Sequence, residues 1–261
     1  MSGGSIAERA EASAQVLVDD MAVPAPAPAD RHHLARVLRL RPGERVVVTD
    51  GQGRWQTCRY RGAGEGEDPE AGGLLDPDGP VRVEPRPQPV LTVAFAPAKG
   101  DRPEWVVQKL TEIGIDRIVP LVTDRSVVRW SGGRRDHALA RLRRVAAEAA
   151  AQCRRVWLPE VTDVQSLADL GALSGSGALS GPGVFSGPGV FSLAQLGGPP
   201  PEAGTTTVAV GPEGGWSPGE LALGHPVVGA GPYVLRAETA AVAVAVLLSS
   251  QRACTVCEQD Q

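Results

Sequence analysis

The sequence predicts an α/β protein in two parts, a small β-rich module followed by a larger domain with a parallel sheet. Two observations carry this prediction. Short extended segments fill the first part, whereas apolar strand-like runs alternate with helix-like segments after a proline-rich stretch at 85–89. We therefore expect a β-rich module over 1–84, a stiff linker over 85–89 and an α/β domain over 90–261.

Composition bounds the class of protein. The chain has 261 residues, of which 42% are hydrophobic and 21% charged, enough to bury a core in each of two domains. Its longest apolar run, 240–248, is shorter than the roughly 20 residues that a bilayer requires. The first residues lack the apolar core of a secretory signal. No membrane partner is therefore expected. Four cysteines without scaffold spacing favour a reduced, cytoplasmic protein.

Charge is distributed unevenly along the chain. The net charge is −4, yet 31–61 carries a balance of +6 and 125–155 a balance of +7, while 62–79 carries −6. Arginine outnumbers lysine 24 to 2, and a coding bias would explain that ratio but not the clustering. The two basic segments predict local binding of phosphates, as in nucleic acids.

The N-terminal module is predicted from short patterns. A helix over 31–40 is stopped by Pro42-Gly43, and Asp50-Gly51 forms a tight turn between two strands. The acidic, glycine- and proline-rich stretch 62–80 is predicted to be an exposed loop. The predicted strands are 15–18, 45–49, 55–60 and 81–84.

The C-terminal domain alternates strands and helices. Strands are predicted at 90–96, 116–122, 207–210 and 233–235. Three helices are predicted. The first starts at Pro103 and ends at Gly114, and the second runs from a cap at Asp136 to Gln152. The third runs from Ala237 to Ala253. The segment 171–204, in which SGPGVF occurs twice, is expected to be a flexible surface insertion.

A glycine-rich turn follows the predicted strand 207–210. Residues 211–216 read GPEGGW, and 217–220 match a capping box with proline at the first helical position. The turn lacks the Gly-Lys-Ser/Thr of a phosphate loop and the glycine spacing of a dinucleotide site. It also fits the G-x-S-x-G of a hydrolase, but Pro218 has no N–H to build the oxyanion hole. We therefore favour a loop whose main chain binds a ligand.

Two other patterns were weighed as sites. Cys254 and Cys257 form a single pair, and without two further ligands at comparable spacing no zinc site is expected, so the metal prediction is none. Residues 235–240, LRAETA, join a predicted strand to the apolar last helix. Arg236, Glu238 and Thr239 are costly at the start of such a helix unless they cap it or act in a site.

These segments together resemble one family, the bacterial 16S ribosomal RNA uridine-N3 methyltransferases of the SPOUT superfamily (small-subunit methyltransferase E). The similar stretches run in order along nearly the whole chain. They are HHLARVLRLRPGERVVVTDGQG at 32–53, QKLTEIGIDRIVPLVTDRSV at 108–127, EAAAQCRR at 148–155, VGPEGGWSPGE at 210–220 and VLRAETAA at 234–241.

The resemblance implies a PUA-like RNA-binding β-barrel, followed by an α/β domain with a deep trefoil knot. It implies S-adenosylmethionine (AdoMet) as cofactor, 16S rRNA of the small ribosomal subunit as substrate, and a homodimer with sites at the interface. RNA-contacting candidates are His32, His33, Arg36, Arg39, Arg41, Arg125 and Arg154. Cofactor-binding candidates are Val210, Gly211, Pro212, Glu213, Gly214, Gly215, Leu235, Arg236, Ala237, Thr239 and Ala240.

Chemical reasoning adds two catalytic candidates and leaves alternatives open. Arg236 would stabilise the uracil oxygen, and Glu238 would act as base or orient Arg236. For the two histidines, packing or plain exposure is as good a reading as RNA contact. A non-catalytic RNA-binding or ribosome-assembly factor, and a methyltransferase acting on another RNA, stay alternatives. The resemblance also implies a third wall of the cofactor site, somewhere in 185–196.

Overall fold

The computed structural model describes residues 3–62, 75–175 and 190–259. The chain divides into two compact units. The N-terminal unit comprises Met1–Arg86 and Ala147–Leu158, and the C-terminal unit comprises Pro87–Ala146 and Pro159–Gln261. The first division falls inside the predicted linker 85–89. Residues 147–158, expected in the second domain, instead pack with the first.

Hydrogen bonds explain why 147–158 belongs to the N-terminal unit. The buried Gln15 side chain donates to the carbonyl of Arg155 at 2.8 Å and to that of Ala150 at 3.4 Å. The amide of Gly53 donates to the carbonyl of Val156 at 2.9 Å. Buried polar groups need such partners. Sequence periodicity predicts the helix through Gln152, but it cannot tell which of the two units the end of that helix packs with.

The N-terminal unit is built on a five-stranded sheet in the order β1-β2-β3-β4, with β5 also paired to β3. The β1–β2 pair is parallel and the others are antiparallel. Alternation places Val46 and Val48 in one apolar cluster and Val47 in another. The elements are α1 (Gly3–Ala10), β1 (Ala14–Leu17), α2 (Pro28–His32), a π-helical turn (His33–Val37), β2 (Arg45–Thr49), β3 (Arg54–Tyr60), β4 (Leu75–Pro77) and β5 (Arg82–Val83).

Two predictions for this unit need correction. The predicted helix 31–40 starts earlier, at Pro28, and ends at Val37, because Arg39 adopts a left-handed φ of 53° that no helix continues. The stretch 62–80, predicted to be a loop, includes β4, which pairs with β3 through Leu75 and Tyr60. The rest of that stretch, 63–74, lies outside the described residues.

The C-terminal unit contains seven strands in the order β12-β10-β11-β6-β7-β8, with β9 also paired to β7. Each of these pairs is parallel, which confirms the predicted α/β class. The elements are β6 (Thr92–Phe95), α3 (Arg102–Ile113), β7 (Arg117–Val122), α4 (Gly132–Gln152), β8 (Glu160–Val161), β9 (Gln165–Ser166), α5 (Leu167–Gly175), β10 (Val190–Ala194), β11 (Thr205–Val210), α6 (Pro218–Leu221), β12 (Val227–Val228) and α7 (Ala237–Gln259).

Both faces of this sheet are buried. Val93 and Val208 point into a core shared with α3 and α7, whereas Ala94 and Ala209 point into a core shared with α5 and Trp216. Burial on both sides explains why the strands read as continuous apolar runs rather than alternating ones. Helix α3 has Pro103 in its first turn and ends at Gly114 with φ 101°, as predicted.

Three predictions for this unit were wrong. The expected insertion 171–204 contains β10, whose Leu193 is completely buried between β11 and β12; the first SGPGVF copy and most of the second lie outside the described residues. The expected strand 233–235 is irregular, because β12 already occupies the sheet edge beside β10. Asp136 does not cap α4, which begins at Gly132; it is exposed and 3.5 Å from Arg135 Nε.

Helix α7 buries one stripe of its apolar surface. Ala241, Val244, Ala245 and Leu248 enter the core of their own unit, while Val246 remains 47% exposed. A contact with a second copy would therefore use Val246 rather than Val244 or Leu248. Within the described ranges, no helix has the length and apolarity to cross a membrane. Strand order does not decide chain threading, so the trefoil knot stays a prediction.

Candidate active site

A cavity of about 330 Å³ lies at the carboxyl ends of β10 and β11. Open parallel sheets bind ligands at this edge, and the volume suits a small organic molecule. Its walls come from three segments, 194–196, 210–216 and 230–240. The residues lining it are Ala194, Gln195, Leu196, Val210, Gly211, Pro212, Glu213, Gly215, Trp216, Leu221, Ala230, Gly231, Tyr233, Val234, Leu235, Ala237 and Ala240.

The structure gathers most of the predicted cofactor residues around this cavity. Three of them, Gly214, Arg236 and Thr239, adjoin lining residues in the chain without lining the cavity themselves. The predicted residues that do line it are Val210, Gly211, Pro212, Glu213, Gly215, Leu235, Ala237 and Ala240.

Sequence reasoning placed a wall somewhere in 185–196 but did not identify 194–196 as that wall. These residues follow β10, which was hidden in the segment predicted to be an insertion. The amide of Gln195 donates to the carbonyl of Val228 at 2.8 Å, so main-chain pairing holds this wall in place. The short apolar run VFSLA at 190–194 was the available signal, but the neighbouring glycines, prolines and serines outweighed it.

Side chains hold the wall 210–216 in place. Ser217 Oγ accepts from the amide of Glu220 at 3.1 Å, and Glu220 Oε2 accepts from the amide of Ser217 at 2.7 Å, which confirms the predicted capping box. Ser217 Oγ also donates to Asp124 at 2.6 Å, and the amide of Asp124 donates to Glu220 Oε1 at 3.0 Å. Since Ser217 and Glu220 are buried, the turn after the loop is anchored rigidly to residue 124.

Trp216 joins two of the walls. Its indole Nε1 donates to the carbonyl of Ala194 at 2.9 Å. A Cβ at Gly211 would lie 3.1 Å from the same ring, closer than ordinary contact, so glycine at 211 lets the loop pass close over the indole without displacing it. A buried aromatic ring thus sets the spacing between 194 and 211.

Gly215 faces open space at the cavity. Its φ is 67°, a left-handed conformation that favours glycine, and a Cβ there would meet no heavy atom within 4 Å. A side chain at this position would therefore project into space rather than into protein. Gly214 differs, because its Cβ would touch Arg125 at an ordinary 3.5 Å.

Charged groups surround the loop. Arg125, a predicted RNA contact, donates to the carbonyl of Gly214 at 2.8 Å. The side chain of Glu238 is 15% exposed, and its Oε1 lies 3.6 Å from Arg102 Nε. Arg236 is exposed to solvent. The structure therefore pairs Glu238 with Arg102, a residue that the sequence analysis did not single out.

Other chemistries fit the site poorly. Ser217 is engaged as a helix cap, and its hydroxyl bonds to Glu220 and Asp124 rather than to a histidine among the described residues, which agrees with the rejection of a hydrolase elbow. No cluster of three potential metal ligands occurs among residues 3–62, 75–175 and 190–259. The residues lining the cavity are instead mostly glycines and apolar residues, with Gln195, Glu213 and Tyr233 as the polar ones in that set.

Comparison with known proteins identifies the family. An RNA methyltransferase domain matches residues 84–249, and an RNA methyltransferase PUA domain matches residues 27–67. A relative from Mycobacterium tuberculosis, ribosomal RNA small subunit methyltransferase E, is 34% identical over 230 residues, covering 83% of this chain and 84% of the relative. The chain belongs to the RNA methyltransferase family.

Further members of the RNA methyltransferase family agree with this assignment. The protein of the same name from Synechocystis is 31% identical, covering 81% of this chain and 68% of its own length. A crystal structure of the Neisseria gonorrhoeae protein of that name, bound to S-adenosyl methionine, gives a TM-score of 0.69 at 22% identity, covering 91% and 97% of the two chains. At that identity the structural likeness shows the fold.

Five of the seven predicted RNA contacts of this family member lie close together in the sequence. His32, His33, Arg36, Arg39 and Arg41 are all exposed, and they lie within ten residues of one another, in and beside the π-helical turn of the N-terminal unit.

Arg154 differs from that group. Its guanidinium donates to the carbonyls of Ala151 at 3.0 Å and Ala12 at 2.9 Å, and burial lowers its pKa. These bonds give Arg154 a structural role within the N-terminal unit. We therefore leave it out of the RNA surface proposed below.

Proposed function

We propose that this protein is an AdoMet-dependent methyltransferase that modifies N3 of a uridine in 16S rRNA. The observation that carries the proposal is the cavity at the ends of β10 and β11, where eight residues predicted for the cofactor converge. Family membership supports methyl transfer to RNA. The names of the relatives support ribosomal RNA of the small subunit as substrate, which agrees with the predicted cytoplasmic location.

The residues present fit this cofactor. AdoMet carries an adenine, a ribose and an amino acid, which need apolar walls together with main-chain donors and acceptors. The walls 194–196 and 210–216 offer both, and Gly215 leaves room where a Cβ would intrude. When bound, the cofactor supplies a methyl group activated by sulfonium.

The protein's own task is to prepare the uridine nitrogen. N3 carries an imide proton, and its loss places negative charge on the adjacent uracil oxygens. Arg236, exposed beside the cavity, stabilises that charge. Glu238 either receives the proton or orients Arg236. A fall in turnover in Glu238→Gln that exceeds its loss of cofactor affinity would support a role in chemistry, whereas normal turnover would remove Glu238 from the catalytic residues.

The N-terminal unit supplies the RNA surface in this proposal. Its exposed basic residues around 32–41 neutralise phosphates, and Arg125 lies at the cofactor loop itself. Reversing Arg36 and Arg39 to Glu should weaken RNA binding about tenfold or more at low salt and flatten its salt dependence. Filter binding across a salt series measures both effects. Arg36→Lys with Arg39→Lys is the control, because it keeps the charge; equal affinity in all three proteins would contradict the surface.

The homodimer is also part of the proposal. Val246 on α7 and Tyr233 and Val234 at the cavity mouth are 47%, 79% and 82% exposed. Apolar side chains so exposed favour burial against a second copy. Light scattering should find a mass of two chains, and Val246→Lys should give one chain with an intact fold. A fully active wild-type monomer would contradict both the dimer and a shared site.

The deciding experiment combines binding with product analysis. Calorimetry with S-adenosylhomocysteine, with NADH as a negative control, tests the cavity. Incubation with AdoMet and small ribosomal subunits lacking the modification, followed by nucleoside mass spectrometry, should yield 3-methyluridine. Cofactor binding without methylation of any RNA would favour the non-catalytic factor. Methylation of transfer RNA alone would favour the second alternative, a methyltransferase for another RNA.

A further inference from the structure

Arg102 contacts two walls of the cavity with one guanidinium. It is the first residue of α3, and its Nη1 lies 3.6 Å from Glu213 Oε1. Its Nε lies 3.6 Å from Glu238 Oε1. Glu213 belongs to the wall 210–216, and Glu238 to the first turn of α7. One side chain therefore joins segments that the chain sequence keeps apart.

The two carboxylates depend on this cation to different degrees. The Glu213 side chain is 51% exposed, whereas that of Glu238 is 15% exposed. Glu238 Oε2 is buried and accepts no hydrogen bond from the residues that the structure describes. A largely buried carboxylate is costly without a compensating charge. Without Arg102, Glu238 would lose its compensating charge, and the two carboxylates would be left to repel each other.

Loss of the Arg102 ion pairs should have little effect on the global stability of the protein. Both contacts are longer than a direct hydrogen bond, and the Arg102 side chain is 42% exposed, so the ion pairs contribute little to the free energy of unfolding. The importance of these ion pairs lies in their position, because they link the loop 211–215 to the first turn of α7. Arg102 is not among the residues lining the cavity, so it acts through Glu213 and Glu238.

We propose that Arg102 is a positioning residue that holds the loop 211–215 against the first turn of α7 and keeps the cofactor cavity in its binding shape. The proposal rests on the proposed function, since it takes AdoMet as the occupant of the cavity. It adds a residue from α3 to a cavity whose lining residues all lie after residue 190.

The test compares Arg102→Ala, Arg102→Lys and a matched control. Arg141→Ala removes another ion pair of α3, between Arg141 Nε and Glu104 Oε1 at 2.9 Å, and neither residue lines the cavity. Arg102→Ala should weaken S-adenosylhomocysteine binding about tenfold and lower kcat, with at most a small fall in melting temperature from the uncompensated Glu238. Arg102→Lys should recover most of the affinity. Arg141→Ala should bind the cofactor product as the wild type does.

A double-mutant cycle separates positioning from a general charge effect. If Arg102 acts by holding Glu213, the loss of affinity in Arg102→Ala with Glu213→Gln should be smaller than the sum of the two single losses. Additive losses, or equal affinities in Arg102→Ala and Arg141→Ala beside a wild type that binds, would overturn the positioning role alone. A wild type that fails to bind would overturn the proposed function and this role with it.

Discussion

The walls 210–216 and 194–196 face the same cavity but are held in different ways. The first is anchored by side chains, through the capping box of Ser217 and Glu220 and its bond to Asp124. The second is anchored by main chain, through the pairing of β10 with β11 and β12. Side-chain anchors need particular residues at fixed spacing, whereas main-chain pairing accepts almost any apolar sequence. The first wall could therefore be located residue by residue from the sequence, whereas the second could be placed only somewhere in 185–196.

The largest effect should come from breaking the main-chain wall. A Cβ at Gly229 would lie 2.2 Å from the carbonyl oxygen of Gly198, so Gly229→Ala forces the backbone after Gln195 and Val228 apart. We expect a loss of about 3 kcal/mol in the free energy of unfolding, measured by urea denaturation. Gly133→Ala, where a Cβ meets nothing within 4 Å, is the control. Equal midpoints for the two variants would refute the tight contact.

Breaking the other wall should affect the ligand more than the fold. Gly215→Val places a branched side chain beside the cavity at a φ of 67°. Cofactor affinity should fall roughly 100-fold or more, while the strained backbone costs about 1–2 kcal/mol of stability. Calorimetry and thermal melting measure the two effects. Gly219→Ala, with its nearest contact at an ordinary 3.7 Å, is the control, and unchanged binding in Gly215→Val would remove this loop from the site.

The smallest effect should come from loosening the side-chain anchor. Ser217→Ala removes the cap and the bond to Asp124, so unfolding should cost about 1 kcal/mol less and cofactor affinity should fall a few-fold. Ser217→Thr keeps a capping hydroxyl and should behave nearly as the wild type. Methyl transfer by Ser217→Ala should persist. Complete loss of turnover with normal binding would instead indicate that Ser217 takes part in chemistry.

The contrast between side-chain anchors and main-chain pairing also explains how much of the structure the sequence could predict. The α/β class, the parallel sheet, the limits of α3 and the capping box all follow from local patterns, and the structure confirms them. Strand β10 and the placement of 147–158 depend on long-range partners, and no local pattern reports those. Arg102 escaped notice for the same reason, because its two carboxylates lie far along the chain. The strand predicted at 233–235 failed because β12 occupies the position it needed.

The order of the cavity walls along the chain has a consequence for biosynthesis. Strands β10 and β11, the glycine loop and the start of α7 are all made after residue 190, and α7 must then pack on the sheet through Ala241, Val244 and Leu248. The N-terminal RNA-binding unit also receives its last segment, 147–158, before this point. During synthesis from the N-terminus, the proposed RNA surface therefore has all its parts earlier than the proposed cofactor cavity. A chain that stops before residue 230 lacks one of the three walls, so we expect methyl-donor binding only after that wall has been synthesised and has folded.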